Sequence, residues 1–135
     1  MDAIDDFVDH VLGTGFDDLP PQAIRAAKTF TLDSFGVGLS GGAGPWVDEM
    51  IQLSTQWGQG DDARVWGHGL RLPAPAAALC NAYQIHNAEF DCVHEGAVVH
   101  SMTVLLGAAM AVAEKDGGTS GKDLILAAAL GVYVA

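Results

Sequence analysis

The sequence predicts an all-α fold, a helical bundle, on three kinds of observation. Apolar residues recur every three or four positions through most of the chain, which is the spacing of one helix face. Prolines and glycines separate these stretches at the positions where helices begin and end. Half of the 135 residues are apolar and 17% are charged, which is enough for one core. We therefore expect a single domain over residues 1–135.

Two helices are predicted in the first third of the chain. The apolar residues of segment 4–12 share one helix face, and the glycines within 13–15 end a short first helix. Pro20 and Pro21 open the second helix, because proline is tolerated in the first helical turn. The glycines of segment 36–42 allow a close neighbour and then end that helix.

The middle of the chain predicts two more helices. A third helix is expected from about Pro45 to Trp57, where a glycine-rich turn follows. Segment 63–66 is a candidate extended segment, but it is too short to predict a sheet. Pro73 and Pro75 introduce a fourth helix. One stripe of that helix is predicted to carry Leu79, Tyr83, His86 and Phe90.

The last two helices follow an irregular stretch around 91–99. Helix five is expected over about 101–115, and Ser120 with Asp123 has the form of a capping box that begins helix six. Helix six reaches Ala135 within an apolar run, without a glycine cap or a polar tail. Because domain boundaries normally fall in polar linkers, we expect the chain to be a truncated portion of a larger helical domain.

Charge and composition exclude several classes of function. Asp and Glu outnumber Lys and Arg by 17 to 6, and the net charge of −11 repels nucleic acid and anionic membranes. The six bases are scattered and form no evident clamp for a carboxylate-rich ligand, so we expect that clamp elsewhere: Arg25, Lys28, Arg64, Arg71, Lys115 and Lys122. The acidic N-terminus does not resemble a signal or transit peptide, which predicts a cytoplasmic protein.

Membrane insertion and disulfide formation are also not expected. The most apolar stretches, 102–113 and 124–135, are shorter than the roughly 17 to 25 residues of a transmembrane helix. Cys80 and Cys92 belong to no multi-cysteine pattern, so buried or free thiols are expected rather than a disulfide.

The candidate functional residues lie in the polar stretch 86–101, which holds three histidines with acidic residues between them. Such a cluster beside apolar helices can separate the pKa values of an acid and a base. His86 and Glu89 would share a helix face, although a core histidine satisfied by a carboxylate has the same pattern. His100 stands directly before helix five, either as a general acid or base or as a helix-start residue without chemistry.

The other polar residues of this stretch have simpler interpretations. Asp91 and Glu95 are either functional acids or solvated charges at a helix end. His94 lies in a predicted loop and is expected to be exposed. We predict no metal and no cofactor, because the stretch has no H-E-x-x-H spacing and no cysteine pair. The chain also has no nucleotide-binding loop and no nucleophile elbow. A zinc-dependent hydrolase remains an alternative that elemental analysis would reveal.

The order of the segments resembles the MmgE/PrpD family over nearly the whole chain. The opening helices resemble the family at 19–21, 26–28, 32–36 and 39–42. Segment 76–82, leading to His86-Asn87-Ala88-Glu89-Phe90-Asp91, resembles its signature helix and acidic turn. Residues 100–101, 108–114, 120–124 and 127–131 complete the resemblance.

The resemblance implies that residues 1–135 are part of the family's N-terminal helical domain. It implies lyase chemistry, without a metal or iron–sulfur cluster, on a small di- or tricarboxylate such as 2-methylcitrate. Other branches of the family decarboxylate cis-aconitate or epimerise an imino-dicarboxylate. The full-length protein is implied to be a homodimer, and the isolated chain is expected to be inactive. The alternative class is a non-catalytic helical interaction module.

The resemblance also implies three site residues. Glu89 stands at the first aspartate of the family's acidic motif, Asp91 at the second, and His100 at the histidine of a His-Pro motif. The sequence departs from that pattern with Glu89 for Asp, Cys92 for a third acid and Ser101 for Pro. We therefore expect the class of activity to be shared more closely than the substrate. His100 is predicted to act as general acid or base, with Glu89 and Asp91 orienting it or the substrate.

Overall fold

Six α-helices carry most of the chain in the computed structural model, which describes residues 2–135. This confirms the predicted all-α helical bundle. In chain order the elements are α1 (Ala3–Gly13), a 3-10 turn (Phe16–Asp18), α2 (Pro21–Gly41), α3 (Val47–Ser54), β1 (Ala63–Val65), β2 (Leu70–Leu72), α4 (Ala74–His86), α5 (Ser101–Asp116) and α6 (Gly121–Val134).

Short sequence signals, such as prolines and a capping box, predicted most helix ends correctly. Proline stands in the first turn of both α2 and α4, as predicted. At the start of α6, the Asp123 amide donates to Ser120 Oγ at 3.2 Å, and the Ser120 amide donates to Asp123 Oδ2 at 3.0 Å. This is the predicted capping box. The hydrogen bonds from Ser120 also lower the pKa of the Asp123 carboxyl below its ordinary value.

Two predictions for the middle of the chain were wrong. Helix α3 begins at Val47, near Pro45 as predicted, because Trp46 has left-handed backbone angles. It ends at Ser54 rather than at Trp57, because turns follow the helix. The extended segment does form a sheet, a two-stranded antiparallel hairpin of β1 and β2. Asn81 of α4 stabilises it, because its amide accepts from the Trp66 N–H at 3.0 Å and donates to the Arg64 carbonyl at 2.9 Å.

The buried face of α4 also differs from the predicted stripe. The helix ends at His86, Phe90 lies beyond it in the loop and is 80% exposed, and Leu79 is exposed as well. The face that is buried consists mainly of small and polar residues: Ala74, Ala76, Ala77, Cys80, Asn81, Gln84 and Ile85. These residues let α2 and α5 approach closely, and a Cβ at Gly41 of α2 would overlap the Gln84 carbonyl oxygen. Helix α4 is therefore the centre of the bundle.

The core has two parts on either side of α4. One part joins the hairpin and α3 to α4 through residues such as Val47, Ile51 and Val65. The other contains Trp66, Ile85, Met102 and Leu106. Met102 and Leu106 belong to the first two turns of α5, so this second cluster fixes the beginning of α5 against the end of α4.

The thiol and membrane predictions were tested in part. Cys80 and Cys92 are free thiols, as predicted, and burial raises the pKa of both above its ordinary value. Among residues 2–135, no helix has the length and apolar character needed to cross a bilayer.

Candidate active site

The end of α4 and the beginning of α5 bring the polar stretch 86–101 into one place. His86 is the last residue of α4, and His100 directly precedes α5. The loop between them folds back on itself, with an isolated bridge that pairs His94 and Val99. Glu89 in this loop has a positive φ of 52°, which is uncommon for a residue with a side chain. The chain thus turns sharply just before Asp91.

Asp91 lies between two imidazole rings. Its Oδ1 is 3.1 Å from His86 Nδ1, and its Oδ2 is 3.0 Å from His100 Nδ1. The two ring centroids are 4.7 Å apart. The hydroxyl of Thr103, in the first turn of α5, donates a hydrogen bond to Asp91 Oδ2. The Asp91 side chain itself has no exposure to solvent, so its charge acts mainly on these three neighbours.

The surroundings of Asp91 favour the ionised carboxylate. Burial alone would raise its pKa, but hydrogen bonds from Thr103, His86 and its own backbone amide outweigh burial, so the pKa lies below its ordinary value. A carboxylate can only accept hydrogen bonds, so the Nδ1 atom of His86 must carry the proton in their contact. The Nε2 atom of His86 then points away from Asp91.

His100 contacts Asp91 differently from His86. Its Nδ1 lies at an ion-pair distance from Asp91 Oδ2, yet among residues 2–135 this buried nitrogen has no partner in hydrogen-bond geometry. The two atoms are therefore close to each other without a directional hydrogen bond.

Glu89 joins the cluster through His86. Its Oε1 is 3.5 Å from His86 Nε2, longer than a good hydrogen bond, and its side chain is 79% exposed. The structure therefore brings Asp91 and His100 into direct contact and places Glu89 on the opposite side of His86. The interpretation of Asp91 as a solvated helix-end charge was wrong, because this residue is buried.

The remaining polar residues of the loop lie away from the cluster. His94 is exposed, as predicted, and its Nδ1 accepts a hydrogen bond from the Ala97 amide at 3.1 Å. Glu95 is exposed too, which matches the solvated alternative for this residue. His94 therefore has a structural role within the loop.

The sequence does not identify two members of the cluster. It indicates His86 only as a partner of Glu89, whereas the structure shows it as the second imidazole on Asp91. The second of these residues is Thr103. A signal for it exists, since Thr103 stands three residues after His100, and residues at that spacing face the same side at a helix start.

A small cavity opens beside this cluster. Its volume is about 290 Å³. It is lined by Pro45, Trp46, Tyr83, His86, Asn87 and Glu89. His86 and Glu89 thus face open space, while Asp91 stands behind His86 and is shielded from solvent. A cavity of this size is at the small end of the range for ligand pockets.

The basic residues that form ion pairs do so away from this cavity. The sequence suggested scattered basic residues, but Arg64 and Arg71 lie close together. Both contact Glu114 Oε2, at 3.0 and 3.2 Å. Arg71 also donates to the carbonyls of Asp61 and Asp62. These guanidinium groups therefore join the hairpin to α5, and neither of them lines the cavity.

The cluster also has the composition of a metal site. His86, Asp91 and His100 each offer a ligand atom within 4.8 Å of the others. Two imidazoles and one carboxylate are ligand types that zinc and related ions accept. The sequence lacked a metal-binding spacing because these ligands come together through the loop and not along one helix. The absence of a bound metal stays a prediction.

Comparison with known proteins gives one family and several relatives. The family described as MmgE/PrpD N-terminal domain matches residues 5–135. A cis-aconitate decarboxylase of Aspergillus terreus is 34% identical over 119 residues, which cover 85% of this chain and 24% of that protein. A cis-aconitate decarboxylase-like protein of Aspergillus oryzae is 31% identical over 120 residues, 84% of this chain and 25% of that protein. The chain thus spans about a quarter of the length of these relatives.

Proposed function

The chain belongs to the MmgE/PrpD family, and on this basis we propose that it supplies one part of a lyase active site for a small di- or tricarboxylate. The observation that carries the proposal is the buried, ionised Asp91 between His86 and His100. Two imidazoles held by one carboxylate are suited to moving a proton to or from carbon. Decarboxylation and dehydration, the two candidate reactions, both require such a transfer.

Decarboxylation of cis-aconitate is the first candidate reaction, because the similar Aspergillus terreus protein bears that name. The bond between carbon and a carboxylate breaks, carbon dioxide leaves, and the electron pair stays on the carbon. A protonated imidazole then donates its proton to that carbon. We assign this donation to His100, whose positive charge Asp91 would stabilise before the transfer.

Dehydration of 2-methylcitrate is the second candidate, and it uses the same residues in the opposite direction. A neutral His100 removes a proton from the carbon next to a carboxylate, and the C–H electron pair forms the new double bond. The hydroxyl group leaves the neighbouring carbon as water, with the proton that the His100 imidazolium returns to it. Asp91 stabilises the imidazolium that forms. Glu89, beside His86 at the cavity, orients His86 or the substrate. Neither reaction needs an oxidant or a reductant.

The substrate's carboxylates need positive charge that the cavity lined by His86 and Glu89 does not provide. Arg or Lys normally binds such groups. We propose that these cations come from regions that the curated relatives have outside the matched quarter, so that residues 1–135 alone are inactive. We also propose that the full-length gene product is a homodimer, which light scattering would test.

An assay of the full-length gene product against three acids tests the proposal. The acids are cis-aconitate, citrate and 2-methylcitrate, and the readouts are carbon dioxide release and absorbance of the conjugated alkene. We expect turnover of one acid by the full-length product and of none by residues 1–135 alone. Absence of turnover of all three by a folded full-length product would contradict the lyase proposal.

A further inference from the structure

Trp46 has a conformation that its own sequence position does not explain. It directly precedes α3 with φ 64° and ψ 8°, in the left-handed region that residues with a Cβ avoid. A residue before a helix usually has extended angles and a side chain that caps the helix, and tryptophan here has neither. The residue is also 70% exposed. A strained, exposed aromatic residue beside a cavity suggests a role in that cavity.

The end of α4 holds the Trp46 backbone in place. The Pro45 carbonyl accepts two hydrogen bonds, from Tyr83 Oη at 3.1 Å and from Asn87 Nδ2 at 2.8 Å. Gly44 permits this approach, because a Cβ at that position would collide with the Asn87 side chain. The peptide before Trp46 is therefore fixed to the same helix end that carries His86.

Trp46 and His86, the outer imidazole of the Asp91 cluster, border the same space. The cavity of about 290 Å³ has Trp46, Pro45 and Tyr83 among its lining residues, and His86 and Glu89 contribute the polar part. This volume suits a small acid better than a nucleotide or another large cofactor. A small polycarboxylate has a short hydrocarbon skeleton between its charged groups, and a flat apolar surface can pack against that skeleton.

We infer that Trp46 is a specificity-determining residue that forms the apolar wall of the acid-binding cavity. This inference rests on the lyase function proposed above. Its indole packs against the methylene, methyl or alkene carbons of the acid and thereby presents the reacting carbon to His86, the imidazole that lines the cavity. The two hydrogen bonds on Pro45 hold this wall in position before the acid arrives, which reduces the entropy lost on binding.

Trp46→Gly in the full-length gene product isolates the contribution of the side chain. Glycine adopts left-handed angles without strain, and most of the indole is exposed, so we expect the variant to fold with an unchanged or higher Tm. The KM for the turned-over acid should rise about tenfold or more, with kcat changed less than about threefold, as for loss of an apolar contact. Trp46→Phe retains a flat ring, so its KM should stay close to that of the unmodified product.

Trp57→Phe is the matched control, since Trp57 is also exposed but does not line this cavity. Its kinetic constants should equal those of the unmodified product. A KM within about twofold of that product for Trp46→Gly would overturn the inference while leaving the lyase function standing, since a lost apolar contact costs more than that.

Fluorescence provides a readout that does not depend on turnover. Titration with cis-aconitate, citrate or 2-methylcitrate should change the tryptophan emission of the unmodified product and of Trp57→Phe. The change should disappear in Trp46→Phe. A response that persists in Trp46→Phe, or no response to any acid, would overturn the inference. A Trp46-dependent response without turnover would support it and reject the lyase function.

Discussion

Asp91 combines complete burial of its side chain with a lowered pKa, so the folded chain keeps a negative charge where solvent cannot reach it. Hydrogen bonds from Thr103, His86 and a backbone amide offset the cost of burying this charge. A charge satisfied in this way is lost at low pH, since protonation removes the attraction to all three donors. The stability of the fold should therefore depend on the ionisation of this residue.

Asp91→Asn should remove that dependence. The native pKa lies below the ordinary value of about 3.9, so the charge stabilises the fold above that pH, and the stabilisation is lost as pH falls through the native pKa. We expect Asp91→Asn to lower the free energy of unfolding by about 1 to 3 kcal/mol at neutral pH. Urea unfolding of the full-length product from pH 6 to pH 3 would measure this.

The difference in free energy of unfolding between Asp91→Asn and the unmodified product should become smaller as the pH falls from 6 to 3. Glu95→Gln, in the same loop but exposed, is the control and should show no difference at any pH. An Asp91→Asn difference of equal size at both ends would mean that its charge does not contribute to stability.

Thr103→Val tests the hydrogen bond that reaches Asp91 from α5. Valine has nearly the shape of threonine but cannot donate, so the pKa of Asp91 should rise and the fold should lose about 1 kcal/mol of stability. Thr103→Ser keeps the donor and should keep the Asp91 pKa near its native value. Carbon-13 NMR of the Asp91 carboxyl during an acid titration would report both effects. Equal titration curves for the Val and Ser variants would rule out the hydrogen bond as a cause.

Helices α2 and α4 provide a test of packing between elements. Gly41 of α2 lies against the Gln84 carbonyl, and alanine there would force the helices apart and cost about 1 to 3 kcal/mol. Gly36 lies on the same helix with nothing within 4 Å of its Cβ position. Gly36→Ala should therefore stabilise the fold by up to about 1 kcal/mol through its higher helix propensity. Chemical denaturation of both variants gives the comparison, and destabilisation by Gly36→Ala would show that propensity does not govern α2.

Local signals predicted the elements only where local interactions determine them. Prolines, glycines and the Ser120 capping box act within a few residues, and the helices that they mark are present. The hairpin and the true buried face of α4 depend on Asn81, which contacts Arg64 and Trp66 across 15 or more positions. Such contacts have no periodic signature in a single sequence.

The candidate site shows the same limit. Residue types and family resemblance selected Glu89, Asp91 and His100, and the structure brings two of them into contact. Residue types and family resemblance could not reveal that His86 shares Asp91 with His100. This pairing depends on how loop 87–100 folds back between α4 and α5. The strained backbone of Trp46 has no sequence signal either.

Much apolar surface remains exposed on the chain as a whole. Ile4, Phe7 and Leu12 of α1 are exposed, as are Tyr133 and Val134 at the end of α6. The chain covers only about a quarter of its curated relatives, so their remaining regions are candidates to cover this surface. We expect residues 1–135 alone to bind a hydrophobic dye several-fold more strongly, per residue, than the full-length product. Equal dye binding by the two would contradict this expectation.

The central claim is that His100 moves a proton at the reacting carbon with Asp91 behind it. The kcat of His100→Ala in the full-length gene product tests this most directly, with Glu95→Gln as a control from the same loop. Loss of a general acid or base predicts a kcat about a hundredfold lower or more for His100→Ala, and a nearly unchanged kcat for Glu95→Gln. Turnover by His100→Ala close to that of the unmodified product would contradict the account.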